Sequence, residues 1–340
     1  MPQAVLGLDV GGANLKTAWH PAAADGPPAV SRPFALWRDP GGLANQLRAV
    51  VGAFPRPDCL AVTMTGELCD CYAGKREGVG AILDAVEAAA AAVPVRVWTT
   101  VGRFTDMAAA RERPLAVASA NWLALAAFAG RYAPGGPALL IDVGSTTTDL
   151  VPLHDGRPVP RGCTDYQRLR TGELVYTGVR RTPVCALVQE GVAAELFATT
   201  LDVYLMLGLL DEDEVDRNTA DGGPATRAAA QLRLARMIGA DLETSRPARR
   251  LALARRAAAR QRDVVGRALV RVGKRMGERP RVVILAGEGE FLARRVLRRC
   301  GGPGGWRTVS LTRRLGAEVS KAACAHAVAV LAAEEHGWQR

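Results

Sequence analysis

Two stretches of this chain are versions of one another, and the duplication narrows what it can fold into. Leu6 to Trp19 reads LGLDVGGANLKTAW, and Leu140 to Pro152 reads LIDVGSTTTDLVP. In each, a branched apolar run ends in an acid (Asp9, Asp142), followed by Val-Gly (Val10-Gly11, Val143-Gly144), a small polar turn and a second apolar strand. The pattern predicts a buried strand, a tight hairpin whose glycines allow close backbone approach, and a return strand. Turn N–H groups flanked by hydroxyls suit phosphate oxygens. A carboxylate at each strand end suits a divalent cation, Mg²⁺ being the expected one, that keeps most of its waters and bridges those phosphates. Two such hairpins facing each other would clamp one polyphosphate from both sides.

A chain of 340 residues is long enough for one large or two moderate domains, and the duplication favours two. No apolar run is long enough to span a bilayer, and the N-terminus enters a strand without the segments of an export signal. The expectation is a soluble cytoplasmic protein with no membrane partner. Seven dispersed cysteines fit free thiols better than a disulfide framework. The net charge of +10 raises nucleic acid as a partner. Between Arg227 and Arg281, however, 16 Lys and Arg face four acids in one helical region without interleaved aromatics, which favours a solvated face or a funnel for anionic substrates over nucleic acid. Oligomeric state is left open.

Strands are predicted near Val5–Val10, Leu15–Trp19, Val30–Trp37, Leu60–Thr65 and Val95–Thr99, with helices near Leu43–Phe54, Ala81–Val93 and Asn121–Tyr132. The breaker Ala133-Pro-Gly-Gly-Pro137 marks a boundary, giving a first lobe over 1–132 and a second over 138–340. The second lobe carries a helical insertion at about 192–276, a strand Arg281–Ala286 ending in Gly287-Glu288-Gly289, a helix near Phe291–Cys300, a strand near Arg307–Leu311 and a last helix near Gly316–His336.

In chain order, the two hairpins and the turn at Gly287-Glu288-Gly289 resemble the phosphate 1, phosphate 2 and adenosine motifs of the acetate and sugar kinase, Hsc70 and actin superfamily. The chain looks most like its hydantoinase A/oxoprolinase branch, and within it the methanofuran-pathway condensing enzymes and their bacterial relatives linked to tetrahydromethanopterin-dependent one-carbon transfer. The residues carrying this are Met64-Thr-Gly-Glu-Leu-Cys-Asp-Cys-Tyr72 with Lys75-Arg-Glu-Gly-Val79, Ala120-Asn-Trp122, Arg170-Thr-Gly-Glu-Leu-Val-Tyr-Thr-Gly178 with Arg181-Thr-Pro183, and Thr219-Ala-Asp-Gly-Gly-Pro-Ala-Thr226 with Leu234-Ala-Arg-Met237. The resemblance implies an α/β, two-lobed actin-like ATPase (ribonuclease H-like) fold with a cleft between lobes. It also implies a transferase joining an (aminomethyl)furan-methyl diphosphate to the phenol oxygen of a γ-glutamyltyramine- or tyrosine-like acceptor, with release of diphosphate. Gly223 stands where the family pattern has Arg.

Such a reaction needs donors for the departing charge and a base for the phenol. Gly11, Gly12, Asn14, Lys16, Gly144, Ser145, Thr146 and Thr147 are the candidates for diphosphate contact, with Asp9 and Asp142 for the metal. Thr-Gly-Glu occurs twice, at 65–67 and 171–173, so Glu67, Glu173 and Asp149 are candidate bases. Glu173 ranks slightly first, because Tyr176 and Arg181 follow it to orient an aromatic, anionic substrate. Lys75 or Arg181 would hold anionic groups, and Gly287, Glu288 and Gly289 would close on an adenosine or on the furan and phenol ends. Cys69 and Cys71 form a lone CxC without the further ligands zinc requires. Two other readings stay open, an ATP-dependent kinase or amide-ring hydrolase and a nucleotide-binding regulator; binding of ATP is unresolved.

Overall fold

A computed structural model describes residues 4–21, 27–301 and 306–337. The chain divides into two compact α/β units, Met1–Ala138 with Val151–Gln167 and Ser310–Arg340, and Leu139–Leu150 with Arg168–Val309.

The first unit is built on β1 (Val5–Val10), β2 (Asn14–His20), β3 (Ala29–Pro33), β4 (Cys59–Met64), β5 (Val95–Trp98) and β6 (Phe104–Thr105), in the order β3-β2-β1-β4-β5-β6. β1 and β4 are parallel neighbours buried along their whole length, which is why both read as continuous apolar runs without alternation. Their register sets Asp9 beside Thr63 on one side and opposite Lys16 of β2 on the other. α1 (Leu43–Val51) and α2 (Lys75–Ala90) fill the core with Leu43, Leu47, Ile82 and Val86 against Leu8, Val62 and Met64. α2 starts well before the expected Ala81. Glu77, in its first turn, reaches back past the N-cap Gly74 to accept a hydrogen bond from the N–H of Ala73 at 2.8 Å, which ties the preceding loop to the helix start. β3 ends at Pro33, short of the expected Trp37. The residues after it turn onto the hairpin, where Phe34 and Leu36 donate to the carbonyls of Ala13 and Gly12, each at 3.0 Å. α3 (Met107–Glu112) was not anticipated, and α4 (Asn121–Ala129) follows.

The second unit contains β7 (Pro137–Val143), β8 (Thr148–His154), α5 (Asp165–Thr171), β10 (Leu174–Val175), α6 (Val184–Leu187), α7 (Thr200–Met206), α8 (Arg227–Met237), α9 (Pro247–Met276), β11 (Val282–Ala286), α10 (Glu290–Cys300) and β12 (Thr308–Ser310), of which β7, β8, α5 and β12 straddle the division of the chain, while β9 (Arg157–Pro158) falls in the first unit. Its sheet runs β10-β8-β7-β11-β12, with β9 on β8. The order repeats that of the first sheet: in each, the first hairpin strand lies between its return strand and a later strand, β4 or β11. The helical insertion is present as α7 to α9. Part of its positive charge is structural: Arg233 is fully buried, with Nε 2.6 Å from Asp202 Oδ1, and buried Arg250 reaches Ser245 Oγ at 2.8 Å.

A single break at 132–138 does not describe the chain, because α11 (Leu311–Leu315), α12 (Ala317–Lys321) and α13 (Ala323–Gly337) belong to the first unit. α13 packs across β1, β2, β4 and α4, and it fits because Gly7 of β1 leaves room for the Ala325 carbonyl, which any β-carbon at position 7 would strike. The expected last helix is therefore two, separated at Ala322. No helix among the described residues is long and apolar enough to cross a membrane.

Candidate active site

The hairpin turns are closed in the same way. Gly11 N–H donates to Asn14 O at 3.1 Å, and Gly144 N–H donates to Thr147 O at 2.9 Å. Both turns spend further carbonyls on neighbouring loops: Gly12 and Ala13 accept from Leu36 and Phe34, Gly144 accepts from Val179 at 3.0 Å, and Ser145 accepts from Arg180 and Arg181, each at 3.0 Å. With these carbonyls tied back and the Gly11 and Gly144 N–H groups used to close the turns, the half-buried Gly12, Ala13, Ser145 and Thr146 are the turn residues whose N–H groups are candidates to meet a ligand. A β-carbon at position 12 would lie 2.6 Å from Cys69 Sγ, so any larger residue there would force the Cys69 side chain to move. Ser145 Oγ and Thr146 Oγ1 lie 3.4 Å apart beside the second turn.

The strand ends match as well. Val10 O accepts from Gly66 N–H at 3.0 Å, and Val143 O accepts from Gly289 N–H at 2.9 Å. The turn after β4 thus lies against the first hairpin as the turn after β11 lies against the second. Gly287 has φ +82° and packs on Val143 O and Asp142 Oδ1, where a side chain would collide. Glu288, expected to meet substrate, is paired with Arg180, whose Nε is 2.9 Å from Oε1 and whose Nη1 is 2.6 Å from Asp216 Oδ2.

Asp9, at the end of β1, is almost wholly buried. Burial pushes its carboxyl pKa up, offset in part by Lys16 and by a hydrogen bond with Asn121, and Oδ1 has no hydrogen-bond partner among the described residues. That unsatisfied oxygen fits a cation. Asp142 is half-buried under Gly287. No three His, Cys, Asp or Glu side chains among the described residues group as a metal-ligand set, so a divalent ion at either aspartate would complete its shell with phosphate and water, as Mg²⁺ commonly does.

The candidate bases separate sharply. Glu67 follows the Gly66 turn and is 0% exposed; its Oε1 accepts from Ser119 Oγ and lies 3.5 Å from Lys75 Nζ, while Oε2 has no partner among the described residues. Burial raises its pKa, and the Ser119 hydrogen bond and Lys75 only partly oppose this. Lys75 Nζ also reaches Ser119 Oγ at 3.2 Å and Asp165 Oδ2 at 3.5 Å. Asp149 instead lies 2.6 Å from Nη2 of the buried Arg168, which also donates to Glu173 O at 3.2 Å. Glu173 is itself buried, and its carbonyl accepts from Leu150 N–H at 2.8 Å, so residues 171–173 lead into the edge strand β10. Tyr176 is 68% exposed, and Arg181 is half-buried with its N–H on Ser145 O.

Sequence reasoning missed Ser119, Asp165, Arg180 and Gln261. Only Asn121 carried a signal, inside Ala120-Asn-Trp122. Gln261 of α9 is fully buried; its Nε2 donates to Gly178 O at 2.7 Å and Thr177 Oγ1 at 2.8 Å, and its Oε1 accepts from Tyr204 OH. Gly178 in turn packs against the Gly144-Ser145 backbone, so this buried amide supports the second hairpin from behind. Gln261→Leu should cost about 1–3 kcal/mol by orphaning these groups, read as a lower urea midpoint at unchanged slope; a midpoint equal to wild type would remove the support role.

Residues 58–333 match the hydantoinase/oxoprolinase family model. The (4-{4-[2-(γ-L-glutamylamino)ethyl]phenoxymethyl}furan-2-yl)methanamine synthase of Methanocaldococcus jannaschii is 34% identical over 247 residues, 70% of this chain and 72% of that protein. The enzyme of the same name from Methanococcus vannielii is 28% identical over 205 residues, 58% of this chain and 91% of that protein. A ROK family glucokinase from Streptomyces griseus, in complex with glucose and AMPPNP, superposes with a TM-score of 0.50 at 14% identity, covering 96% of this chain and 98% of its own, which shows the actin-like ATPase fold. This chain is a member of the hydantoinase/oxoprolinase family.

Proposed function

We propose that the protein is a transferase that forms an aryl ether between an (aminomethyl)furan-methyl diphosphate and the phenol oxygen of a γ-glutamyltyramine- or tyrosine-like acceptor, releasing diphosphate. The relatives are synthases whose named product carries a phenoxymethyl group on a furan. The observation that carries the reading is Glu67, a buried carboxyl of raised pKa that lies beside Lys75 and follows Gly66, the residue packed on the first glycine turn. A phenol ionises near pH 10 in water and needs such a base near neutrality. A glycine turn of this kind offers N–H donors suited to phosphate oxygens, and Lys75 balances negative charge at the base. A divalent cation held at Asp9 or Asp142 would, when bound, neutralise charge on the departing diphosphate.

The test incubates purified protein with the furan-methyl diphosphate, magnesium and, in parallel, γ-glutamyltyramine, tyrosine or tyramine as acceptor. Ether and diphosphate should appear in equal amounts without ATP. A phosphorylated product formed only with ATP would instead identify a kinase. Asp9→Asn and Asp142→Asn remove charge but little bulk, so each should lower turnover at least about tenfold, equivalent to about 1.4 kcal/mol, and shift the magnesium titration. Wild-type turnover with an unchanged titration in both variants would remove the cation role.

A further inference from the structure

Glu67 has no exposed surface, so a substrate proton can reach it only through its neighbours. Two polar atoms adjoin Oε1: Ser119 Oγ, which donates to it, and Lys75 Nζ at 3.5 Å. A lysine ammonium carries no acceptor and cannot pass a proton inward unless it first loses one. A hydroxyl can accept and donate at once. Ser119 is also held unusually. It has φ +50°, in the left-handed region that costs a non-glycine residue strain, and it sits two residues before Asn121, which hydrogen-bonds Asp9. The one turn therefore reaches both buried carboxyls beside the first hairpin. Asn and Gly tolerate this backbone better than Ser, so turn geometry does not explain a serine here; a hydroxyl in contact with Glu67 does.

We infer that Ser119 is the catalytic proton relay between the acceptor phenol and Glu67, an assignment that rests on the transferase reading above. The phenol O–H bond breaks as its proton passes to Ser119 Oγ, and the serine's own proton passes to Glu67 Oε1. The phenol oxygen bonds to the furan methylene carbon, while the bond from that carbon to diphosphate breaks and its electron pair leaves with diphosphate. Glu67, left neutral, returns its proton to water back through Ser119 after product release. The charged groups facing Glu67 are Lys75 from α2 and Asp165 from α5; Lys75 favours the carboxylate and Asp165 opposes it.

Ser119→Gly is the informative variant, because glycine accepts this backbone without strain and removes only the hydroxymethyl group. Single-turnover ether formation would be followed with tyramine and with ring-fluorinated tyramines of lower phenol pKa. The relay predicts a loss of about 10²-fold or more with tyramine, recovered stepwise as the phenol becomes more acidic. Wild-type rates in Ser119→Gly would overturn the relay while leaving the transferase reading intact, and so would an equal loss at every acceptor pKa. No ether from the wild-type protein with any acceptor would overturn both.

Discussion

Glu67→Gln should lose about 10²–10⁴-fold in turnover while becoming the more stable protein at neutral and alkaline pH. The two effects have one cause. The carboxyl is fully buried with one oxygen unpartnered among the described residues, and burial raises its pKa above the unfolded value. Folding therefore favours the protonated form. The resulting contribution to stability is complete below the unfolded pKa and is lost as pH rises through the folded pKa. At higher pH the folded protein carries a desolvated charge that Lys75, partly exposed and 3.5 Å away, offsets only in part. Glutamine keeps the shape and accepts from Ser119 but carries no charge, so its advantage in melting temperature should shrink as pH falls through Glu67's folded pKa. Calorimetric melting over a pH series, beside single-turnover rates, checks both halves. A variant with full activity excludes Glu67 as the base, and a stability difference independent of pH excludes the buried charge as its cause.

Arg168→Met should destabilise the protein by about 3–5 kcal/mol, the range for removing one partner of a buried ion pair. Arg168 is almost wholly buried, and its Nη2 joins Asp149 of β8 to the carbonyl of Glu173 just before β10. Without it, the half-buried Asp149 loses the guanidinium that lies 2.6 Å from its Oδ1. A second change, Asp149→Leu on the Arg168→Met background, should recover most of the loss, because replacing both partners leaves no charge behind. Denaturant unfolding of the two variants measures this. If Arg168→Met costs less than about 1 kcal/mol, as an exposed pair would, the pair does not fasten the edge of the second sheet, and Asp149 returns as a candidate base.

The second Thr-Gly-Glu marks where sequence reasoning parts from structure. Identical tripeptides at 65–67 and 171–173 suggest matching roles, with Glu173 favoured by Tyr176 and Arg181 downstream. The hydrogen bonds pair differently: Gly66 and Gly289 make the same bond to Val10 and Val143, so the counterpart of Gly66-Glu67 is Gly289-Glu290. Residues 171–173 precede an edge strand instead, and Tyr176 points into solvent. Local composition cannot distinguish these settings, because a turn after a central strand and a turn before an edge strand use the same residue types.

What the sequence determined by itself was the duplicated hairpin, its glycine turns and the acid at each strand end. Those depend on local periodicity and backbone freedom, which neighbouring residues encode. The family was legible for the same reason, its motifs being short and contiguous. Only the tertiary structure decided that the last helix closes the first unit against Gly7, that Arg180 occupies Glu288, and that, among the described residues, Glu67 has Ser119 and Lys75 for partners where Asp149 has Arg168. Each of these is a contact between residues far apart in the chain, and burial, which sets the charge and partners of an acid, is a property of the packed chain rather than of any segment of it.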